Sequence, residues 1–145
     1  MSSDKSREMD RDPNGGAAMT STSKHWMEQA RYDLDTARAM FDSGRYLYVL
    51  FCCQQAVEKA FKAIIVRRTD DFPPRLHNLL RLAEIAGIKM EPDRGDFLGE
   101  LSGYYIQTRY PEEIESLAQT LDREIAQDAL DKTEEVIEWL FSMLK

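Results

Sequence analysis

The strongest constraint on the fold is a long stretch free of helix breakers. Between Gly44 and Pro73 the chain holds neither glycine nor proline, and its apolar residues recur at helical spacing. Tyr46, Val49, Leu50, Cys53, Val57, Ala60, Phe61 and Ile64 follow one another at steps of mostly three and four. Residues so spaced share one face of a helix. The pattern predicts an uninterrupted helix of about six turns, from near Arg45 to about Arg68.

The flanking segments read the same way. Trp26, Ala30, Leu34, Ala37 and Phe41 form one apolar stripe, on a helix expected to open at Thr22 or Ser23 and to stop at Gly44. Asp70, Asp71, Pro73 and Pro74 predict a turn. A short helix from about His77 to Ala86 carries Leu79, Leu82, Ala83 and Ala86 and closes at Gly87. A fourth begins beyond Pro92 and carries Phe97, Leu101, Tyr104 and Tyr105. Pro111 is expected to turn the chain away from helix, because its ring clashes with the preceding turn. A last helix opens near Asp122 with Ile125, Ala129, Thr133, Val136, Ile137, Leu140 and Leu144 as its stripe. No segment alternates as a strand would. The expected architecture is an all-α, up-and-down helical bundle of four to five helices over residues 24–145. Residues 1–23, rich in Ser, Asp and Gly and without periodicity, read as a disordered leader.

Composition narrows the function. The chain has 145 residues, room for one domain. Mean hydropathy is −0.52, and no apolar run approaches the roughly 18 residues of a membrane span. The N-terminus lacks the basic-then-apolar layout of a secretion signal, so a cytoplasmic protein is expected, with no membrane role. Cys52 and Cys53 are adjacent, which excludes a CxxC motif and a disulfide scaffold. Their apolar mid-helix setting also disfavours a nucleophilic thiolate. Neither histidine belongs to a Glu-x-x-His pair, so a di-iron bundle is excluded. Glu112, Glu113 and Glu115 read as a solvated loop cluster, and no metal or other cofactor is expected.

The net charge of −7 argues against a nonspecific DNA coat. That charge is uneven. From Lys24 to Arg81 ten Lys or Arg meet seven Asp or Glu, giving +3. From Leu82 to Lys145 six meet fifteen, giving −9. A globally acidic chain therefore has one basic half, able to receive a phosphate-sized ligand.

Three places carry candidate chemistry. Gln55, Lys59 and Lys62 fall at i, i+4 and i+7 along one side of the second helix. They read either as a phosphate-binding strip or as an ordinary solvated face with a Glu58–Lys62 surface pair. His77 lies where a Pro-rich turn becomes a helix. It reads either as a ligand group beside free backbone N–H donors or as a cap. Arg109, between aromatics and just before Pro111, suits phosphate or carboxylate recognition. It suits equally a clamp on the last carbonyls of its helix.

The run Phe51-Cys-Cys-Gln-Gln-Ala-Val-Glu-Lys-Ala-Phe-Lys-Ala-Ile64 resembles the central signature of the prokaryotic HEPN domain family. Trp26, Ala30, Asp33, Leu34 and Ala37 are similar to the family's first helix. His77-Asn78-Leu79-Leu80 resembles its third, and Tyr104-Tyr105-Ile106…Arg109-Tyr110-Pro111 its "yYi-x-x-RYP" segment. The blocks occur in family order. The resemblance implies a helical bundle, usually a homodimer, that binds nucleotide or RNA. Such proteins are often paired with a minimal nucleotidyltransferase in a toxin–antitoxin-like module. Gln55, Glu58, Lys59, Lys62, His77, Arg109 and Tyr110 occupy matching motif positions. Many members are metal-independent endoribonucleases with an Arg-x(4–6)-His motif, and here the pattern departs. His77 is separated from Arg75 by one residue and from Arg68 and Arg67 by eight and nine, and no histidine follows Arg109.

The expectation is a non-catalytic nucleotide-binding protein using Gln55, Lys59, Lys62, His77, Arg109 and Tyr110. One alternative is a ribonuclease in which His77 and Arg109 meet. Another is an adaptor whose acidic half docks a basic partner.

Overall fold

The computed structural model describes residues 15–107 and 110–144. The described residues form six helices: α1 (Gly15–Asp42), α2 (Tyr46–Thr69), α3 (Leu79–Ile85), α4 (Pro92–Gln107), α5 (Pro111–Thr120) and α6 (Arg123–Ser142). No strand occurs among the described residues.

The unbroken stretch becomes the centre of the bundle. From Val49 to Val66, fourteen residues of α2 are buried, on more than one face of the helix. Phe61, Leu50, Ile64 and Ile65 are among its fully enclosed side chains. α1 lies antiparallel along it with Ala30, Leu34, Ala37 and Phe41 facing inward. The reversal is tight because Gly44 adopts φ +76°, where a side chain would be strained. The amides of Gly44 and Arg45 donate to the carbonyls of Phe41 and Met40, closing the end of α1. α6 packs on α2 through Ala126, Ala129, Leu130, Thr133, Val136, Ile137, Leu140 and Phe141. Asp122 caps it by accepting from the Ile125 amide at 2.9 Å.

Two boundaries and one buried stripe differ from expectation. α1 begins at Gly15, inside the segment read as a leader, and Ser23 is not its cap. The Ser23 hydroxyl is buried and donates instead to the Ala63 carbonyl of α2 at 2.8 Å. α4 ends at Gln107, ahead of Pro111 as expected, but Pro111 itself starts a further helix, α5. At the first helical position its missing N–H costs no hydrogen bond, and Glu112 and Glu113 complement the helix dipole there. The acidic cluster thus sits on α5, which buries no residue, and the described residues form six helices instead of four to five. Ile125 is 40% exposed. The buried stripe of α6 starts one residue later, at Ala126, about 100° round the helix.

Candidate functional site

The site is built on α2 and completed by the segment leading into α3. Gln54, Glu58 and Lys62 stand at i, i+4 and i+8 and therefore line one face. Glu58 is only 4% exposed and Lys62 only 7%. A buried carboxylate requires compensation, since an isolated charge loses its hydration. Three groups meet Glu58. Lys62 Nζ donates to Oε2 at 3.0 Å, Gln54 Nε2 donates to Oε1 at 3.3 Å, and His77 Nδ1 lies 3.0 Å from Oε1. Gln54 Nε2 also donates to the His77 carbonyl at 2.9 Å, so backbone and ring of His77 are both tied to α2. The Lys62 ammonium lies 5.7 Å from the Trp26 ring centroid, a cation–π contact that joins α1 to the group.

His77 is the exposed end of this network, its side chain 53% accessible. Its ring contacts Tyr105 of α4 at 5.0 Å between centroids, and Tyr105 stacks on Phe51 at 5.6 Å and 20°. The result is an imidazole with one nitrogen on a buried carboxylate, an aromatic neighbour, and half of its surface in water.

The backbone donors expected around His77 are largely engaged. The Leu79 amide donates to Ser102 Oγ at 2.9 Å, the Arg81 amide to Asn78 Oδ1 at 3.0 Å and the Leu82 amide to the Asn78 carbonyl. Asn78 is the cap of the seven-residue α3, so an anion finds little free at this helix start.

The expected cationic strip divides between two directions. Lys62 turns inward to Glu58. Lys59 turns to α1, where its Nζ is 2.8 Å from Asp33 Oδ2 and 3.5 Å from Gln29 Oε1. Gln55, half-buried, donates to Gln54 Oε1 at 3.1 Å. Lys59 and Lys62 each make an ion pair within the bundle.

The arginines of the basic half are similarly employed. Arg67 donates to the Leu144 carbonyl at 3.1 Å and Arg68 to the Ala86 carbonyl at 2.8 Å, tying the end of α2 to the ends of α6 and α3. Arg81 pairs with Glu84. Arg75 is exposed, two residues before His77, and makes no ion pair among the described residues. Tyr110 is 59% exposed at the start of α5. Arg109 lies outside the described residues.

Residue pattern alone does not single out Gln54 or Arg75 as members of the site, and it presents Tyr105 only as an apolar stripe residue. The i, i+4 spacing of Gln54 and Glu58 is the available signal for the first.

Other chemistries are poorly served. Burial pushes the Cys53 thiol up to about 12 and raises that of Cys52 as well. Among the described residues no cluster of His, Cys, Asp or Glu is arranged to hold a metal, and no helix is long and apolar enough to cross a membrane. A groove between α4 and α6 carries Arg94, but its guanidinium stacks on Trp139 at 4.0 Å and lies 3.9 Å from Glu135.

The order of these helices and the α2 signature agree with a comparison against protein families, in which residues 23–144 match the HEPN domain. The chain belongs to the HEPN domain family. The HEPN bundle is similar to the crystal structure of TT1696 from Thermus thermophilus, at 28% identity and a TM-score of 0.72. That match covers 83% of this chain and 96% of the other. It also shares its fold with ST0689, described as an archaeal HEPN homologue, at 21% identity and a TM-score of 0.67. There the coverage is 85% of this chain and 98% of that one. No curated protein matches the chain.

Proposed function

We propose that this HEPN domain binds a nucleotide, with His77 as the central ligand group. The observation that carries the reading is the half-exposed imidazole held by a buried carboxylate beside Tyr105. Such a ring meets polar ligand atoms without losing its orientation, and aromatic neighbours suit a base. Arg75 supplies an exposed cation close by in sequence. Arg109 and Tyr110 contribute phosphate or base contacts from the segment joining α4 to α5. Gln55, Lys59 and Lys62 serve this site through their internal pairs, and Lys62 does so by neutralising Glu58. The domain acts as a homodimer, with a minimal nucleotidyltransferase as partner in a toxin–antitoxin-like module.

Isothermal titration with a panel of ribonucleotides tests this reading. Saturable binding below millimolar is expected, weakened about tenfold or more in Arg109→Ala, the loss typical of a charge-assisted contact, and about two- to tenfold in His77→Ala, the worth of one neutral hydrogen bond. An absence of heat at millimolar ligand overturns it.

A second reading is favoured by the same imidazole. A histidine whose Nδ1 is bound to a carboxylate is arranged for proton transfer, as metal-independent RNA cleavage requires. Cleavage of RNA in the presence of chelator, abolished by His77→Ala, would establish it. An inert protein would remove it.

A further inference from the structure

We infer that Glu58 is a positioning residue that fixes the tautomer of His77 and makes Nε2 a hydrogen-bond acceptor for a ligand hydroxyl. The starting point is the 3.0 Å contact between His77 Nδ1 and Glu58 Oε1. An ionised carboxylate only accepts, so the proton of this bond resides on Nδ1. Lys62 on Oε2 supplies the counter-charge of the buried carboxylate, and Gln54 adds a neutral donor to Oε1. Once Nδ1 carries the proton, Nε2 of the neutral ring carries a lone pair. No hydrogen bond is made to Nε2 among the described residues, and half of the side chain is in water.

A neutral ring so held cannot donate to phosphate from Nε2. It accepts from an O–H group, and on a nucleotide the ribose hydroxyls are the donors of that kind. Phosphate recognition then falls to arginine, and histidine reads the sugar. Gln54 reinforces this by holding the His77 carbonyl, so that the ring cannot leave Glu58 by a backbone shift.

The tautomer can be read directly in the free protein, independently of any ligand. Long-range proton–nitrogen spectra at about pH 8.5, above the ordinary imidazole range, distinguish a protonated ring nitrogen from a bare one. His25, exposed on α1, supplies the reference for an imidazole in water. The expected result is Nδ1–H with a bare Nε2 for His77, and a shift toward Nε2–H in Glu58→Gln, whose amide can donate to Nδ1. Because that substitution removes the partner of a buried lysine, Glu58→Gln/Lys62→Met provides the same readout without a stranded cation. An Nε2–H ring in the wild type, or variant spectra identical to it, overturns the inference.

The second arm rests on the nucleotide-binding reading. Ribonucleotides are expected to bind about two- to tenfold more tightly than their 2′,3′-dideoxy analogues, the worth of one hydrogen bond. His77→Phe should abolish that preference. Equal affinity for the two in the wild type overturns the hydroxyl assignment. If neither binds, the functional reading fails, and the ring nitrogens alone decide the role of Glu58.

Discussion

His77 and Glu58 meet at 3.0 Å across 19 residues of sequence, one half-exposed and the other almost wholly buried. Their contact fastens the segment before α3 to the central helix and joins the interior of the bundle to its surface. Lys62 completes the arrangement from below, so the carboxylate is a junction between a structural cation and an accessible ring.

Glu58→Ala should be strongly destabilising. It strands the buried Lys62 ammonium and removes the anchor of His77, a combination worth about 3–5 kcal/mol. Urea unfolding measures this. Glu58→Leu/Lys62→Met removes both charges and should recover most of the loss, since an apolar pair of similar volume tolerates the same interior. A double variant no better than Glu58→Ala would show that the charges are not coupled.

Ser102→Ala should cost about 1–3 kcal/mol, because its hydroxyl receives the buried Leu79 amide and nothing replaces it. Ser23→Ala deletes a donor to the Ala63 carbonyl and should cost about 1 kcal/mol. Thermal or urea unfolding of both variants provides the comparison. Equal, negligible effects would place these hydroxyls outside the stabilising network.

Phe61→Ala should cost about 3–5 kcal/mol, since Phe61 is fully enclosed in α2 and its removal opens a cavity between helices. The expected readout is a lower urea midpoint at unchanged slope, the mark of lost stability without a changed unfolding reaction.

Alkaline pH should weaken the fold through Cys53. Burial raises its thiol from 9.0 to about 12, so above pH 9 the unfolded chain releases a proton that the folded chain retains. With fewer protons bound in the unfolded state, stability falls as pH rises between about 9 and 12. Cys53→Ala should flatten that part of the stability profile. Below pH 9 the Cys53 thiol should resist alkylation in the native protein, as thiol titration with and without denaturant can establish.

Much of the bundle was legible from local pattern. The uninterrupted run from Arg45, the stripes of α1 and α6, the Gly44 turn and the Asp122 cap all follow from residue type and spacing, because helix periodicity and capping act over three or four residues. The departures at Ser23 and Pro111 are local too. Serine and proline each have two helical uses, and only the neighbouring helix or the following residues choose between them.

The site was legible in part. Of its α2 members only Lys62 stands out by spacing, in line with Gln55 and Lys59, but spacing does not tell which face a neighbouring helix covers. Asp33 from α1 captures Lys59, and the chain before α3 delivers His77 to Glu58. These partners are 26 and 19 residues away in sequence, beyond the reach of any local signal. Of the arginines that made one half of the sequence basic, Arg67 and Arg68 are taken by carbonyls at helix ends, and Arg31, Arg38 and Arg81 by carboxylates.

Residue order alone specifies the helices, the buried axis of α2 and, through its motif blocks, membership of the HEPN family. Which charges remain for a ligand is decided in three dimensions. Burial makes every buried ion seek a partner, and that partner is set by how the helices pack. The packing commits Lys59 and Lys62 to the bundle and leaves an oriented His77 at its surface.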